Sequence, residues 1–233
     1  HTGTTSRLLN DYVILVYEND SIDGTDRVLR EFQRRNSRVR ILSSDSFSSP
    51  SPTSQFGIWD KKRFDAMAKA RDVYLRKTLE SYSDYDYLVV VDMHATSSWN
   101  LEAFLESVRT SCSSCSWDVM CANGMYSENE RYYDGLAYRP LGFQEPLSEW
   151  LKMMHTVISS TFDSSQDPMF QVQSCFGGMA IYKIRTLLKA GCSYLNVSSS
   201  SSSEDCEHIR LHRCLQEKVG ANVILNTALE LYR

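Results

Sequence analysis

Short apolar runs alternate with amphipathic segments along the first half of the chain. Four runs rich in β-branched and aromatic residues predict buried strands, at 11–17, 38–42, 85–92 and 117–123. Apolar side chains recur at helical spacing in three further segments, at 26–35, 61–82 and 101–110. Strand and helix therefore follow one another in turn, which is the pattern of a parallel sheet covered by helices.

The second half of the chain is less regular, and residues 124–146 are polar and aromatic without a clear period. Helical spacing returns in three segments, at 147–160, 184–191 and 205–218. Strand-like runs fill 221–226 and two pieces of 170–183, which Gly177 and Gly178 separate. Serine-rich stretches predict loops at 43–58 and 196–203.

These elements predict an α/β fold with a mostly parallel sheet flanked by helices, in a single domain over residues 1–233. Ligands of such sheets bind outside the carboxyl ends of the strands. Two polar segments, ENDSIDGT (18–25) and DMH (92–94), come directly after predicted strands. We therefore expect both segments to face one cleft.

Composition and charge narrow the class of protein only slightly. The chain is 42% hydrophobic and its net charge is −4, so binding to nucleic acid is not predicted. Since no apolar run approaches the roughly 18 residues that a spanning helix needs, no transmembrane segment is predicted either. The chain begins at His1 instead of a methionine, and we expect a natural segment before it.

The seven cysteines do not resemble the framework of a disulfide scaffold, because their number is odd and the chain is long. CSSC at 112–115 has no second CxxC, so a structural zinc site is poorly supported. We expect reduced thiols in preference to disulfides, which favours a cytoplasmic location. Glycosylation sequons at Asn19 and Asn196 leave a secretory lumen open.

Acidic and amide side chains crowd the end of the first predicted strand. Carboxylates there accept hydrogen bonds from a ribose or from the N–H of a base, but they repel phosphates unless a cation intervenes. An alternative is that Ser21 or Asp23 caps the helix that follows. Both roles are compatible, and the candidate nucleoside-binding residues are Glu18, Asn19, Asp20 and Asp23.

The end of the 85–92 strand carries a candidate metal site. Asp92 offers a hard oxygen and His94 a ring nitrogen, and residues two apart in an extended segment point the same way. Two such groups suit a divalent ion such as Mn²⁺ or Mg²⁺, which would bridge the phosphates of a nucleotide. The alternative is that Asp92 caps the next helix and His94 is merely exposed.

A third cluster, SEDCEHIRLHR (203–213), combines acids with two histidines at helical spacing, His208 and His212. The HExxH order of zinc proteases is absent, and a solvated helix start is the alternative. Arg63 and Arg71 lie about two turns apart on the 61–82 helix and are candidates to meet phosphates. A solvated basic face is the alternative for each arginine.

Several blocks together resemble the GT-A fold of nucleotide-sugar-dependent glycosyltransferases. They are ENDSIDGT, RFDAMAKAR and the DxD-like triplet DMH. MCANGMYSENERYYDGLAYR, VQSCFGGMAIYK and EDCEHIRLHR look more narrowly like a group of microbial and large-virus glycosyltransferases, which are distantly similar to fungal capsule-associated mannosyltransferases. The resemblance covers about residues 11–230, and the last three blocks carry most of its specificity.

The resemblance implies a Rossmann-like GT-A domain with a nucleotide-binding half at 11–123 and an acceptor and sugar half at 124–233. It implies transfer of a sugar from a nucleoside diphosphate sugar to a glycan or other hydroxyl acceptor, with a divalent metal. Asp92 would be the first acid of the DxD motif, and His94 departs from the second.

The same resemblance implies roles for residues of the second half. His208 would be the later metal ligand, with His212 only buttressing it. Asp205 or Glu207 would lie near the acceptor. If the enzyme inverts, we expect one of them to be the base, and we favour Asp205 because a residue at a helix start is oriented outward. The residues expected to line the donor-sugar and acceptor pockets are Tyr133, Asp134, Arg139, Gly177 and Gly178.

Other functions remain open at this point. His94 in place of an acid fits a catalytically inactive module that binds nucleotide or glycan. A metal-dependent phosphoester hydrolase would use Asp92, His94, His208 and His212. A nucleotidyltransferase needs a glycine-rich phosphate loop after its first strand, and the chain has none there. The sugar, the nucleotide, the acceptor and the stereochemistry are not predicted.

Overall fold

The computed structural model describes residues 9–18, 21–43, 61–93, 98–109, 116–128, 131–165, 167–195 and 205–232. The chain divides into two compact units, His1–Lys77 and Thr78–Arg233. The boundary falls within the longest described helix, α2 (Lys61–Ser81). The predicted serine-rich loops lie outside the described residues, apart from Ser43.

The first unit pairs two parallel strands around a helix. Strand β1 (Ile14–Glu18) lies beside β2 (Val39–Ser43), and α1 (Thr25–Arg35) connects them. The Asp23 carboxylate accepts hydrogen bonds from the hydroxyl and the N–H of Thr25, at 2.6 and 3.0 Å, and these bonds lower the pKa of Asp23. Asp23 thereby stabilises the start of α1.

The second unit is a six-stranded sheet with helices. Its strands are β3 (Tyr87–Val91), β4 (Ser98–Trp99), β5 (Val119–Met125), β6 (Met169–Val172), β7 (Met179–Lys183) and β8 (Val223–Tyr232). Their order is β3-β7-β5-β8-β4, and β6 also pairs with β8. The helices are α3 (Leu101–Arg109), α4 (Leu147–Ser164), α5 (Ile184–Ala190) and α6 (Glu207–Val219).

The α/β class is confirmed, but the prediction of a mostly parallel sheet is wrong for this unit. Among its described strands only β5 and β8 pair in parallel, and the other pairs are antiparallel. An apolar run indicates that a strand is buried, but not whether it runs parallel or antiparallel to its neighbours. Direction was inferred from strand and helix alternation, and that alternation fails where residues 173–178 join β6 to β7 without a helix.

The predicted helices and longer strands all occur, with ends shifted by a few residues. Two differences are larger. Strand β4 was missed because two exposed residues, Ser98 and Trp99, give no period. Strand β8 extends to Tyr232, well past the predicted end at 226. The extension was missed because the second half of the strand mixes buried, half-buried and exposed residues and forms no apolar run.

One hydrophobic core of the second unit packs its sheet against α3. Each large apolar side chain buried there contributes about 1.5–3 kcal/mol to folding. The central strands β5, β7 and β8 supply much of this core, and the parallel pairing of β5 with β8 shifts register between Ala122 and Asn123. The buried core residues are Ala103, Phe104, Leu105, Trp117, Met120, Ala122, Met179, Ile181, Ile224, Leu229 and Leu231.

Two disulfides correct the prediction of reduced thiols. Cys121 is bonded to Cys175, and Cys192 to Cys214, across 54 and 22 residues of sequence. No sign of these pairings is visible in the sequence, because the partners are far apart in the chain and meet only in the folded protein. Cys206 is a buried thiol, and burial raises its pKa. The CSSC motif at 112–115 lies outside the described residues.

Across the described helices, none is both long and apolar enough to cross a membrane.

Candidate active site

Asp92 and Gly178 meet at one edge of the six-stranded sheet. The N–H of Asp92, just past the end of β3, donates to the carbonyl of Gly178 at 2.8 Å. This bond continues the antiparallel pairing of β3 with β7, in which Val91 lies opposite Met179. Asp92 is half-buried, and this backbone bond fixes its position at the carboxyl end of β3.

Residues 173–178, here called the glycine loop, pack directly on β5. A Cβ atom on Gly177 would lie 2.1 Å from the carbonyl oxygen of Ala122, and one on Gly124 would lie 2.2 Å from that of Gly177. No side chain fits in either place. The Cys121–Cys175 disulfide joins the same two segments covalently.

Tyr133 extends this edge beyond the end of β5. Its N–H donates to the carbonyl of Gly124 at 2.7 Å, and its ring meets Tyr126 edge-on at 5.5 Å. Asp134 follows, and its backbone carbonyl accepts from the N–H of Ala137. The backbone thus brings Asp92, Gly177, Gly178 and Tyr133 to one end of the strands of the second unit. The donor-binding roles that the resemblance implies for them stay predictions.

His208 packs beneath the glycine loop. Its ring stacks on Phe176 with the centroids 3.8 Å apart, and Tyr194 meets it edge-on at 5.7 Å. The residue is 2% exposed. His208 therefore contacts the glycine loop through Phe176, the residue before Gly177. Its role as a metal ligand stays a prediction.

His212, one turn further along α6, is enclosed by protein. Its Nδ1 is 3.0 Å from the hydroxyl of Ser174, and its Nε2 is 3.0 Å from that of Tyr182. Burial lowers its pKa to about 3, so the ring is neutral at ordinary pH. His212 thus connects the glycine loop to β7 from below, which fits a buttressing role.

Asp205 and Arg139 form a buried ion pair. Arg139 Nη2 lies 3.4 Å from Asp205 Oδ1, and Arg213 Nη1 lies 3.1 Å from Asp205 Oδ2. Both Arg139 and Asp205 are almost completely buried, at 1% and 4% exposure. Each carboxylate oxygen of Asp205 therefore faces an arginine, as does its carbonyl, which accepts from Arg210 Nε at 2.9 Å.

Glu207 is the first residue of α6 and is also buried. Its Oε1 lies 3.8 Å from Nε2 of His208. Both candidate bases, Asp205 and Glu207, are thus held inside the protein beside His208, and their catalytic role stays a prediction.

The remaining candidates belong to the first unit or to residues outside the description. Glu18 accepts a hydrogen bond from the N–H of Ser21 at 2.8 Å. Arg71 is buried and donates to the hydroxyl of Tyr74 at 3.2 Å, whereas Arg63 is half-buried. Their ligand-binding roles stay predictions. The candidates outside the described residues are Asn19, Asp20 and His94.

A metal centre built from three or more histidine, cysteine or acidic side chains is not found among the residues that the structure describes. His94 lies outside that search.

Sequence reasoning missed the groups that hold the edge together. Gly124 sits inside a strand, where a glycine often marks close approach of another backbone, so its signal was available. Ser174 and Phe176 gave no signal, because their partners on α6 are more than 30 residues away.

Residues 6–213 match the family described as Cryptococcal mannosyltransferase 1. The chain belongs to this family, and the membership supports glycosyltransferase activity in general. No curated protein matches the chain.

We predict that Gly177→Ala destabilises the protein more than Gly191→Ala. Both glycines have a positive φ, at 61° and 57°, so the conformational cost of alanine is similar, at about 1 kcal/mol. Only Gly177 has a backbone oxygen where the Cβ would go. We expect an additional loss of about 1–3 kcal/mol in the free energy of unfolding, measured by denaturant titration. Equal losses in the two variants would contradict the close packing.

We predict that His212 makes stability fall with acid. The unfolded ring binds a proton below its ordinary pKa of 6.5, whereas the folded ring does so only near 3. The unfolded state therefore binds more protons between these values, and stability is lost as the pH falls through that window. The slope approaches about 1.4 kcal/mol per pH unit.

The measurement is the free energy of unfolding against pH for the wild type and His212→Gln. Their difference should change across pH 6.5–3, because glutamine keeps polar contacts without titrating. His155→Gln replaces an exposed histidine and is the matched control. Parallel profiles for the wild type and His212→Gln would show that His212 is not buried as a neutral ring.

Proposed function

We propose that this protein is a glycosyltransferase of GT-A type that moves mannose from a nucleoside diphosphate sugar to a hydroxyl of a glycan acceptor. The family match supports the transfer of a glycosyl group, and the family's description suggests the sugar. The observation that carries the proposal is Asp92, held beside Gly178 at a strand edge of a chain with this family membership.

Asp92 fits a divalent cation better than the other described candidates do. Its backbone is fixed by Gly178 and the residue is only half-buried, whereas His208 is 2% exposed. His94, two residues further on, would complete the pair. His208 stacks face to face on Phe176, which leaves its ligand role dependent on movement of that ring.

Asp92 and His94 would hold Mn²⁺ or Mg²⁺, which as a Lewis acid offsets the negative charge of the departing nucleoside diphosphate. The glycine loop, packed on β5 through Gly177, fixes the backbone of Gly178 to which Asp92 is bonded. Tyr133 adds an aromatic surface next to Gly124.

In the reaction the acceptor oxygen forms a bond to the anomeric carbon of the donor, and the bond from that carbon to the diphosphate breaks. The proton of the acceptor hydroxyl passes to a base. Glu207 is the better placed of the two acidic candidates for this step, because both oxygens of Asp205 already face arginines. An inverting reaction requires such a base, and a retaining one does not.

The competing functions are less well supported. A phosphoester hydrolase with His212 as a metal ligand conflicts with the two hydroxyls that occupy its ring nitrogens. An inactive module would bind the nucleotide or glycan but would not transfer the sugar.

The disulfides favour an oxidising compartment for this activity, such as a secretory lumen. Disulfides persist in such compartments and are rare where glutathione keeps thiols reduced. Cys121–Cys175 joins the glycine loop to β5, so reducing conditions would remove this covalent link and leave only the non-covalent packing.

We predict that Asp92→Asn lowers kcat/KM for sugar transfer by at least about 100-fold, because a neutral amide is a poor ligand for a hard cation. The variant should remain folded, as checked by circular dichroism, since the bond to Gly178 uses the backbone of Asp92. The assay measures release of nucleoside diphosphate from mannosyl donors, with and without Mn²⁺.

Asp86→Asn is the matched control, because Asp86 is exposed and lies just before the opposite end of β3. It should retain full activity. Full activity of Asp92→Asn, or of the wild type in excess chelator, would disprove the metal role of Asp92. Donor binding without turnover in the wild type would favour the inactive module.

A further inference from the structure

We propose that Arg139 is a positioning residue for sugar transfer, which fixes the glycine loop relative to the start of α6 without contacting the donor. This proposal rests on the proposed function. It departs from the expectation that Arg139 lines a sugar pocket, and its basis is the enclosure of the guanidinium group on every side by protein.

The side chain of Arg139 has its hydrogen-bonding groups turned inward. Nη1 donates to the carbonyls of Leu136 and Tyr138, at 3.0 and 2.7 Å, and Nη2 donates to Asp205 Oδ1 at 3.4 Å. The guanidinium carbon lies 4.8 Å from the ring centroid of Trp150. With 1% of the residue exposed, no face is left for a sugar or a phosphate.

The backbone of Arg139 is bonded to the glycine loop. Its N–H donates to the carbonyl of Ser174 at 2.9 Å, and its carbonyl accepts from the N–H groups of Gln173 and Ser174, at 2.9 and 3.2 Å. Arg139 thus holds the loop through its backbone and Asp205 through its side chain. Two residues after Asp205, α6 begins with Glu207 and His208.

The charged groups of Arg139, Asp205 and Arg213 determine how the glycine loop is linked to the start of α6. Burial lowers the pKa of Arg139, while Cys206 and Asp205 act against that shift. Arg213 holds the second oxygen of Asp205 at 3.1 Å. A carboxylate between two guanidinium groups has one favourable orientation, so a change at Arg139 alters the position of Asp205 and with it the start of α6.

The simpler alternative is that Arg139 only stabilises the fold. The two roles differ in kinetics, because a loss of stability leaves turnover per folded molecule unchanged. A direct contact with the donor differs again, because its removal raises KM for the donor. Misplacement of the site lowers kcat with KM nearly constant.

The experiment compares Arg139→Lys with Arg139→Met, at a temperature where circular dichroism shows each variant folded. Lysine keeps the positive charge but lacks the planar guanidinium group with its several donors. Arg139→Lys therefore provides the test if Arg139→Met does not fold. We expect kcat to fall about 10- to 100-fold, with donor KM within about threefold of the wild type. Lys183→Met is the matched control, because Lys183 lies 4.4 Å from the Trp117 ring at the opposite edge of the sheet.

Amide hydrogen exchange gives a readout that does not need activity. In Arg139→Lys we expect faster exchange in the glycine loop and in residues 205–209, and unchanged exchange in β3. Unchanged exchange in the loop would overturn the proposal whether or not the wild type transfers sugar. Absence of transfer by the wild type, with the exchange change present, would instead count against the proposed function.

A double variant tests whether Arg139 acts through Asp205. If it does, Asp205→Asn combined with Arg139→Lys should reduce kcat no more than the larger single change. Losses that multiply would overturn the link between the two residues. A raised donor KM with normal kcat in Arg139→Lys would show direct contact with the donor and would also overturn the proposal.

Discussion

The close packing of the glycine loop against β5 is the constraint on which the candidate site depends. Gly124 and Gly177 approach so closely that a methyl group on either would overlap a backbone oxygen of the other segment. The Cys121–Cys175 disulfide fixes the same contact covalently. Because Gly178 in turn holds the backbone of Asp92, the position of the candidate metal ligand follows from this packing.

A second layer of buried polar groups supports the loop from below. His212 reaches Ser174, His208 stacks under Phe176, and Arg139 joins the loop to Asp205. Buried polar groups of this kind are costly unless their partners are in place, so they favour one arrangement of the loop and α6 over others.

Local sequence signals predicted most of the helices and longer strands, and they placed Asp92 and Gly178 at strand ends. They did not predict strand direction, because β7 runs antiparallel between β3 and β5 after a loop without a helix. They also missed both disulfides and the enclosure of Arg139, since these depend on residues far apart in sequence. The resemblance to glycosyltransferases agrees with the family match, whereas the metal and the donor remain proposals.

The most direct test of the central claim is photo-crosslinking with a mannosyl nucleotide that carries a reactive group on the sugar. If the donor binds where Asp92 meets the glycine loop, competed labelling should fall on peptides that contain 92–93, 124–134 or 173–179. Labelling that excess unmodified donor competes away, but that falls only at the opposite edge, near Asp86 and Lys183, would contradict the account.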